Sequence, residues 1–219
     1  DAIILFAGLA AAIHEGEEGE PINSYSNGDR HDLNLLKNQV DYLKKQRGYG
    51  KKPIILVLTG GSPIITPEIY DMADAVLFAW YPGEEGGNGV ADVIFGDVVP
   101  SGRLPITFPK SMSQIPDFGN YSMKGRTYRY MEEEPLYPFG FGLSYTTFTY
   151  SDIKVQQQEI TASDSTVVSV KLSNTGKFEA DEITELYVTF EGKLENKPLY
   201  SLKAIRKTHL KPGGSAILN

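Results

Sequence analysis

The chain has 219 residues, 41% of them hydrophobic, which is the composition of a globular protein with a buried core. Its 28 acidic residues outnumber its 21 basic ones and no long basic run occurs, so we expect neither nucleic acid nor an anionic membrane as a partner. The lack of cysteine excludes disulfides and thiolate metal sites, and three scattered histidines do not form the cluster typical of a zinc site.

The first part of the chain alternates apolar runs with stretches of helical periodicity. Ala2–Leu9 is a continuous apolar run, as is typical of a buried parallel strand that delivers a loop at its carboxyl end. A helix is predicted next, with apolar residues at helical spacing and Asp32 able to cap its start. Its apolar positions are Leu33, Leu36, Val40 and Leu43, and its basic C-terminal residues are Lys44, Lys45 and Arg47.

The same alternation continues to about residue 110. The further predicted elements are strands at residues 53–59 and 75–79, a short helix from Thr66-Pro67 and a helix over 90–95. Strands and helices alternating at this spacing are typical of βαβ units. We therefore predict that residues 1–110 form an α/β sandwich domain with a mostly parallel sheet flanked by helices.

An acidic segment lies between the first strand and the first helix. It reads His14-Glu15-Gly16-Glu17-Glu18-Gly19-Glu20 and is followed by Asp29-Arg30. Carboxylates that lie close together repel one another, which raises the pKa of at least one of them. A carboxyl group that keeps its proton near neutral pH can act as a general acid. On charge alone, a solvated acidic loop is the commoner explanation of such a cluster. Ligands of parallel sheets bind outside the carboxyl ends of the strands, where this segment is predicted to lie.

The loop after the third strand, Trp80–Asn88, is predicted at the same end of the sheet. The three glycines of this loop and the glycine directly after it do not have the spacing of a dinucleotide-binding motif or of a Walker motif. No P-loop lysine follows them. These glycines are Gly83, Gly86, Gly87 and Gly89. A nucleotide-binding domain is therefore not supported.

From Val98 the composition changes to proline, glycine and aromatic residues. Prolines at this density exclude long helices and central strands, so the segment can order only by packing its aromatic rings on a neighbouring surface. We predict an interdomain strap over residues 111–145. A sugar-stacking platform is the alternative role for its aromatic rings, but packing is favoured for most of Tyr128, Tyr130, Tyr137 and Phe139.

After Tyr145 apolar and polar residues alternate, which is typical of strands with one buried face. The apolar members are Val168, Val170 and Leu172, and then Leu186, Val188 and Phe190, with a turn predicted at 174–176. Such strands predict an antiparallel β-sandwich over residues 146–219. This stretch is shorter than the roughly 100 residues of an immunoglobulin-like domain. We therefore expect a domain that is incomplete at its C-terminus, with an open edge that pairs two copies as a homodimer.

Taken together, these segments resemble the C-terminal half of glycoside hydrolase family 3, the β-glucosidase and β-xylosidase group. Five motifs carry the resemblance, in the family's order along essentially the whole chain. They are Glu15-Gly16-Glu17-Glu18 with Asp29-Arg30, residues 79–87, Phe95-Gly96-Asp97 with residues 100–105, residues 125–130 and residues 137–145. The resemblance implies a multidomain enzyme with an N-terminal (β/α)8 barrel, an α/β sandwich domain and a fibronectin type III-like domain, of which this chain holds the last two.

The resemblance also implies that the catalytic residues are divided between domains. In the family the nucleophilic aspartate lies on the barrel, in a Ser-Asp-Trp type motif that does not occur in this sequence. The acid/base glutamate is usually carried on a loop of the α/β sandwich domain, upstream of Asp-Arg. By that pattern Glu17 is the first choice for the acid/base, with Glu15 and Glu18 as alternatives because the family is irregular in this loop.

Supporting roles are expected for three other residues. Asp29 and Arg30 are expected to anchor the acidic loop, through an ion pair or by capping the following helix, rather than to touch sugar. Trp80, the only tryptophan, is a candidate substrate-binding wall by resemblance, and core packing is an equal alternative. Neither a cofactor nor a metal is implied.

The function implied by the resemblance is that of a retaining, exo-acting β-glycosidase. Such an enzyme removes terminal β-linked glucose or xylose from an oligosaccharide or aryl glycoside, using two carboxyl groups about 5 to 5.5 Å apart. Because this chain would supply only the acid/base, we expect it to be inactive without the barrel of the same protein. A periplasmic or secreted location is expected by resemblance. The alternative function is a non-catalytic carbohydrate-binding or scaffolding module.

Overall fold

The computed structural model describes residues 1–9, 30–161, 163–192 and 196–219. These residues form two compact units. The first contains Asp1–Ala91, Pro105–Phe139 and residues 196–199, and the second contains Asp92–Leu104, residues 140–192 and Tyr200–Asn219. The domain boundaries expected near residues 110 and 145 stay a prediction.

A parallel sheet of three described strands, in the order β1-β2-β3, organises the first unit. The strands are β1 (Ile3–Gly8), β2 (Ile54–Thr59) and β3 (Ala75–Trp80), within a residue or two of their predicted limits. The central strand β2 is almost completely buried, as its unbroken apolar run predicts. Strand β1 lies at the edge of the sheet formed by the described residues, and Phe6 on one of its faces is 61% exposed, so the prediction of a buried strand is wrong for that face.

Helix α1 (Lys37–Gly48) begins later than its apolar pattern predicts. Asp32 lies before the helix and its Oδ1 accepts a hydrogen bond from the backbone N–H of Asn34 at 2.8 Å, a local turn that competes with helix formation. The N–H of Leu35 donates to Thr66 Oγ1 at 2.8 Å, so a tertiary contact holds this backbone. The prediction that Leu33 lies in the helix and that Asp32 caps it is therefore wrong.

The core of the first unit lies between the sheet and two helices, α1 and α2 (Pro67–Met72). Side chains alternate along β2, so that every second residue faces these helices. The fully buried members of the cluster are Leu43, Ile54, Leu56, Leu58, Ile64 and Ile69. The helices therefore cover one face of the sheet.

Helix α3 (Gly86–Phe95) includes glycines that were predicted to belong to a loop. Glycine is unfavourable in a helix by about 1 kcal/mol relative to alanine, so the sequence favours a later start. At Gly86, the first residue of α3, a Cβ atom would lie 2.5 Å from the ring of Pro82, so a side chain there would require Pro82 to shift. The predicted end is confirmed, because Gly96 follows the helix with φ of 83°.

Between residues 105 and 139 the described regular structure is short. It consists of a 3-10 helix at Met112–Gln114, helix α4 (Thr127–Tyr130) and a single bridge between Phe108 and Tyr137. The ring of Tyr128 stacks on that of Phe139 at 4.5 Å between centroids, and Tyr137 packs edge-on against Tyr70 at 5.4 Å. These contacts agree with the packing role predicted for the aromatic residues of the strap.

The second unit is antiparallel. Its described strands form one sheet in the order β4-β5-β8 and a pair β6-β7. Their limits are β4 (Phe148–Val155), β5 (Val168–Asn174), β6 (Ala180–Val188), β7 (Ser201–Leu210) and β8 (Ser215–Leu218). The predicted strand at 168–172 is confirmed, with Leu172 fully buried. The alternation through Phe190 overestimates its strand, because β6 ends at Val188 and Phe190 is exposed.

Asn174 ends β5 as a buried polar residue rather than as part of an exposed turn. Its Oδ1 accepts a hydrogen bond from Thr146 Oγ1 at 2.8 Å. Its Nδ2 donates to the carbonyl oxygens of Phe178 at 2.8 Å and Leu210 at 3.0 Å. A single side chain thus bonds a backbone carbonyl in the loop that follows β5 and another at the end of β7.

Candidate functional site

The carboxyl end of β1 is held by a glutamine side chain. The N–H of Gly8 donates to Gln39 Oε1 at 2.8 Å, and Gln39 Nε2 donates to the carbonyl oxygen of Gly8 at 2.8 Å. Gly8 has φ of 144°, and a Cβ atom there would lie 2.0 Å from the carbonyl oxygen of Thr59. Only glycine fits this position, because both the backbone angle and the approach of β2 exclude a side chain.

The carboxyl ends of the three strands are bonded to one another. The N–H of Leu9 donates to the carbonyl oxygen of Thr59 at 2.8 Å, and the N–H of Gly60 donates to that of Trp80 at 3.3 Å. Leu9 is 3% exposed and belongs to the core cluster. The sheet therefore ends on a fixed edge at the point where the acidic segment begins in the sequence.

Arg30, which follows the acidic segment in the sequence, also bonds to this end of the sheet. Its Nη1 donates to Ser62 Oγ at 2.6 Å and its Nη2 donates to the carbonyl oxygen of Asn34 at 3.0 Å. Ser62 lies in the loop that follows β2. The bonds described for Arg30 thus join the residues before α1 to the loop that follows β2, and the role of Asp29 and Arg30 as anchors of the acidic loop stays a prediction.

The predicted acid/base candidates lie outside the described residues. Glu15, Glu17 and Glu18 all fall within residues 10–29, and so does Asp29, which was expected to anchor the loop. The described residues on either side, Leu9 and Arg30, both bond to the carboxyl end of β2 or the loop that follows it. The assignment of Glu17 stays a prediction.

Trp80 ends β3 in a strained conformation. Its φ is 55°, which is uncommon for a bulky side chain and costs about 1 to 3 kcal/mol. The pairing of β2 with β3 shifts register here, so that Thr59 faces Trp80. The indole ring lies 4.5 Å from the ring of Phe78 and 6.3 Å from that of Phe108 between centroids. These contacts support core packing, and substrate contact stays a prediction.

Sequence reasoning missed Gln39, although its position carried a signal. Leu36 and Leu43 line the buried face of the α1 region, and Gln39 follows Leu36 by three residues and precedes Leu43 by four. A polar residue at a position of the apolar face indicates a specific hydrogen-bonding partner. Which partner it finds depends on tertiary structure, because Gly8 is 31 residues away.

In ranges 1–9, 30–161, 163–192 and 196–219, no group of three or more His, Cys, Asp or Glu side chains could hold a metal ion. Within the same part of the chain, no helix has the length and hydrophobicity needed to cross a membrane.

Comparison with known proteins gives a consistent family match. The glycosyl hydrolase family 3 C-terminal domain matches residues 1–145. The chain is 40% identical over 222 residues to a xylan 1,4-beta-xylosidase of Xylanibacter ruminicola, covering 99% of this chain and 25% of that protein. It is 39% identical over 196 residues to a periplasmic beta-glucosidase of Salmonella typhimurium, covering 84% and 26%.

Solved structures agree. The crystal structure of a GH3 beta-glucosidase from Bifidobacterium adolescentis superposes with a TM-score of 0.83 and 32% identity, covering 100% of this chain and 32% of that one. A beta-D-glucoside glucohydrolase from Trichoderma reesei gives a TM-score of 0.86 at 27% identity, covering 100% and 34%. The chain thus spans about a quarter to a third of the length of these four proteins.

Proposed function

We propose, because the chain belongs to glycosyl hydrolase family 3, that it is the C-terminal part of a retaining, exo-acting β-glycosidase that supplies the acid/base residue. The proposed substrates carry a terminal β-linked glucose or xylose, since the similar proteins are named beta-glucosidases and beta-xylosidases. The nucleophile would come from the N-terminal barrel of the same protein.

The observation that carries this proposal is the arrangement at the carboxyl end of the sheet. The residues that flank the acidic segment, Leu9 and Arg30, bond to Thr59 and Ser62, which end β2 and follow it. Carboxyl ends of parallel strands are the usual location of ligand sites in α/β domains. A segment rich in glutamate that starts and finishes at this edge is suited to carry a catalytic group to a substrate held by another domain.

Glu17 is the proposed acid/base, with Glu15 and Glu18 as alternatives. In the first step the barrel carboxylate attacks the anomeric carbon, the glycosidic C–O bond breaks and the Glu17 carboxyl group gives its proton to the leaving oxygen. In the second step the Glu17 carboxylate takes a proton from water, whose oxygen attacks the anomeric carbon and releases the nucleophile. The anomeric configuration is retained because it inverts twice.

The fold proposed for the whole chain has two parts joined by the strap. An α/β sandwich domain over residues 1–110 is supported by the parallel sheet and its helices, and a strap over residues 111–145 by the short elements there. A fibronectin type III-like domain over residues 146–219 is supported by two antiparallel sheets. A homodimer through an open sandwich edge is part of the same proposal.

The acid/base role is tested in the full-length enzyme by Glu17→Ala. Hydrolysis of an activated aryl β-glycoside should slow by about 100-fold or more, because water then attacks without a general base. Added azide should restore turnover and yield the β-glycosyl azide, since azide needs no base. Glu159→Ala, in an exposed loop, is the control and should behave like the wild type.

The three loop glutamates are separated by the same assay. Azide rescue of Glu15→Ala or Glu18→Ala, with none for Glu17→Ala, would move the assignment to that residue. No rescue for any of the three variants would contradict the proposal that this loop carries the acid/base.

A second candidate function, a carbohydrate-binding module, is favoured by one loop of the first unit. Phe118 is 95% exposed and Tyr121 is 91% exposed. The guanidinium of Arg126 donates to the carbonyl oxygens of Asp117 and Asn120, which orders the loop that presents both rings. Ordered exposed rings suit stacking on sugar faces. Calorimetric titration of the chain with cellobiose and xylobiose, with Phe118→Ala as the comparison, separates this candidate from the first.

A further inference from the structure

The carboxamide of Gln39 binds both polar backbone atoms of one residue, Gly8, at the outer edge of β1. One bond runs from Gly8 N–H to Oε1 and the other from Nε2 to the Gly8 carbonyl oxygen, both at 2.8 Å. The next residue, Leu9, bonds in the opposite direction, to Thr59 of β2. Gln39 therefore acts at Gly8 as a facing residue of an antiparallel strand would, by exchanging two hydrogen bonds with a single residue.

The pairing leaves the end of β1 with little freedom. On one side a Cβ atom at Gly8 would touch three atoms of Thr59, the nearest at 2.0 Å, so the two backbones are already at closest approach. On the other side Gln39 is fixed by α1, whose neighbouring residue Val40 is 5% exposed in the core. The Gly8 peptide is thus held between β2 and α1, directly before Leu9.

We propose that Gln39 is a positioning residue for the acid/base catalyst, acting through Gly8 on the direction in which the chain runs towards Glu17. This inference rests on the proposed function, because it needs the catalyst to lie in the segment that starts after Leu9. Glu17 follows Gly8 by nine residues. A general acid must come within about 2.6 to 3.2 Å of the leaving oxygen, so a changed direction at Gly8 changes catalysis without changing the catalytic group.

The test compares two substrates of the full-length enzyme that differ in their need for acid. Phenyl β-glycosides need a proton on the leaving oxygen, whereas 2,4-dinitrophenyl β-glycosides release a stable anion without one. In Gln39→Leu, kcat/KM for the phenyl substrate should fall about 10- to 100-fold, as expected for a misplaced catalytic group. For the dinitrophenyl substrate it should stay near the wild-type value. The matched control on α1 is Gln46→Leu, which should leave both substrates unaffected.

A second variant adds a pH readout that a purely structural role would not change. In Gln39→Glu, the ionised carboxylate accepts from Gly8 N–H but sets a negative oxygen against the Gly8 carbonyl oxygen. When protonated, the same carboxyl group donates to that oxygen and restores both bonds. We therefore expect kcat/KM of Gln39→Glu for the phenyl substrate, divided by the wild-type value at the same pH, to rise as the pH falls.

The outcomes separate this inference from the proposed function. Equal losses on both substrates in Gln39→Leu, together with a pH-independent deficit in Gln39→Glu, would overturn the positioning role. A Gln variant of Glu15, Glu17 or Glu18 that loses activity on the phenyl substrate but not on the dinitrophenyl substrate identifies the acid/base. If one of these variants shows that pattern and Gln39→Leu does not, the inference alone fails. If no glutamate variant shows it, the proposed function fails.

Discussion

Glu182 is a buried carboxylate on β6 with two partners. It accepts a hydrogen bond from Arg103 Nη2 at 2.6 Å and another from the Tyr150 hydroxyl at 2.9 Å. The side chains of the ion pair are only 14% and 8% exposed. Burial raises the pKa of Tyr150 to about 12, so its hydroxyl stays protonated and donates throughout the neutral range. The network joins β4 and β6 to the segment around Arg103.

Removing one member of this pair should destabilise the second unit strongly. Glu182→Leu leaves the Arg103 guanidinium buried without its carboxylate, and breaking a buried pair in this way costs about 3 to 5 kcal/mol. Urea denaturation followed by circular dichroism measures the change. The double variant Arg103→Met with Glu182→Leu should be closer to wild type than Glu182→Leu, because no buried charge remains. A double variant as unstable as the sum of the two single variants would contradict this account.

Residue contacts of this kind were beyond sequence reasoning. The motif containing Arg103 was recognised, but its partner lies 79 residues away on β6. The pairing of Gln39 with Gly8 spans 31 residues. Periodicity shows that a residue faces the interior, but it does not say which backbone or side chain it meets there. The strand ends that flank the acidic segment were therefore predictable from the sequence, but the bonds that hold them were not.

Asp74 connects three elements of the first unit. It precedes β3, and its Oδ2 accepts hydrogen bonds from Arg47 Nη2 of α1 at 2.6 Å and from the N–H of Ile54 of β2 at 2.8 Å. Arg47 Nε also donates to the carbonyl oxygen of Met72, at the end of α2, at 2.8 Å. The hydrogen bond from Arg47, followed by that from Ile54, lowers the pKa of Asp74 below its ordinary value.

This shift predicts a pH-dependent contribution to stability. Because the pKa is lower in the folded state, the contribution is present above the unfolded value of 3.8 and is lost as the pH falls through the folded pKa. Asp74→Asn should therefore lower Tm at neutral pH, and the difference from wild type should shrink in acid. Calorimetric scans between neutral and acid pH measure it, with exposed Asp97→Asn as control. A difference that is constant across this range would contradict the prediction.

The elements themselves were largely predictable, and the exceptions have physical causes. The apolar runs predicted β1, β2 and β3, and Thr66-Pro67 predicted the start of α2. The start of α1 was wrong because a turn at Asp32 and the bond from Leu35 to Thr66 replace the first helical turn. The start of α3 was wrong because the helix begins at Gly86, inside a run of glycines whose low helix propensity predicts a later start. Local patterns fail where tertiary contacts decide an element's end.

At the scale of the whole molecule, family membership was predictable because it depends on ordered motifs rather than on contacts. The matched family domain covers residues 1–145, which contain all five motifs. The nucleophile implied by the resemblance was not predictable as a residue, because the expected Ser-Asp-Trp type motif does not occur in the sequence. The similar proteins are about three to four times as long as this chain, which leaves room for a further domain. Catalysis by this chain would then depend on a surface that it does not carry.

The chain of 219 residues should therefore fail to hydrolyse aryl β-glycosides by itself. A retaining mechanism needs a nucleophile about 5 to 5.5 Å from the acid/base, and an acid/base alone forms no glycosyl-enzyme intermediate. The measurement is release of 4-nitrophenol from the β-glucoside and β-xyloside by the purified chain, with circular dichroism to establish that it is folded. The full-length enzyme is the positive control. Turnover by the folded chain that is abolished by Glu17→Gln would contradict the division of catalytic residues, because it would require both carboxyl groups to lie within these residues.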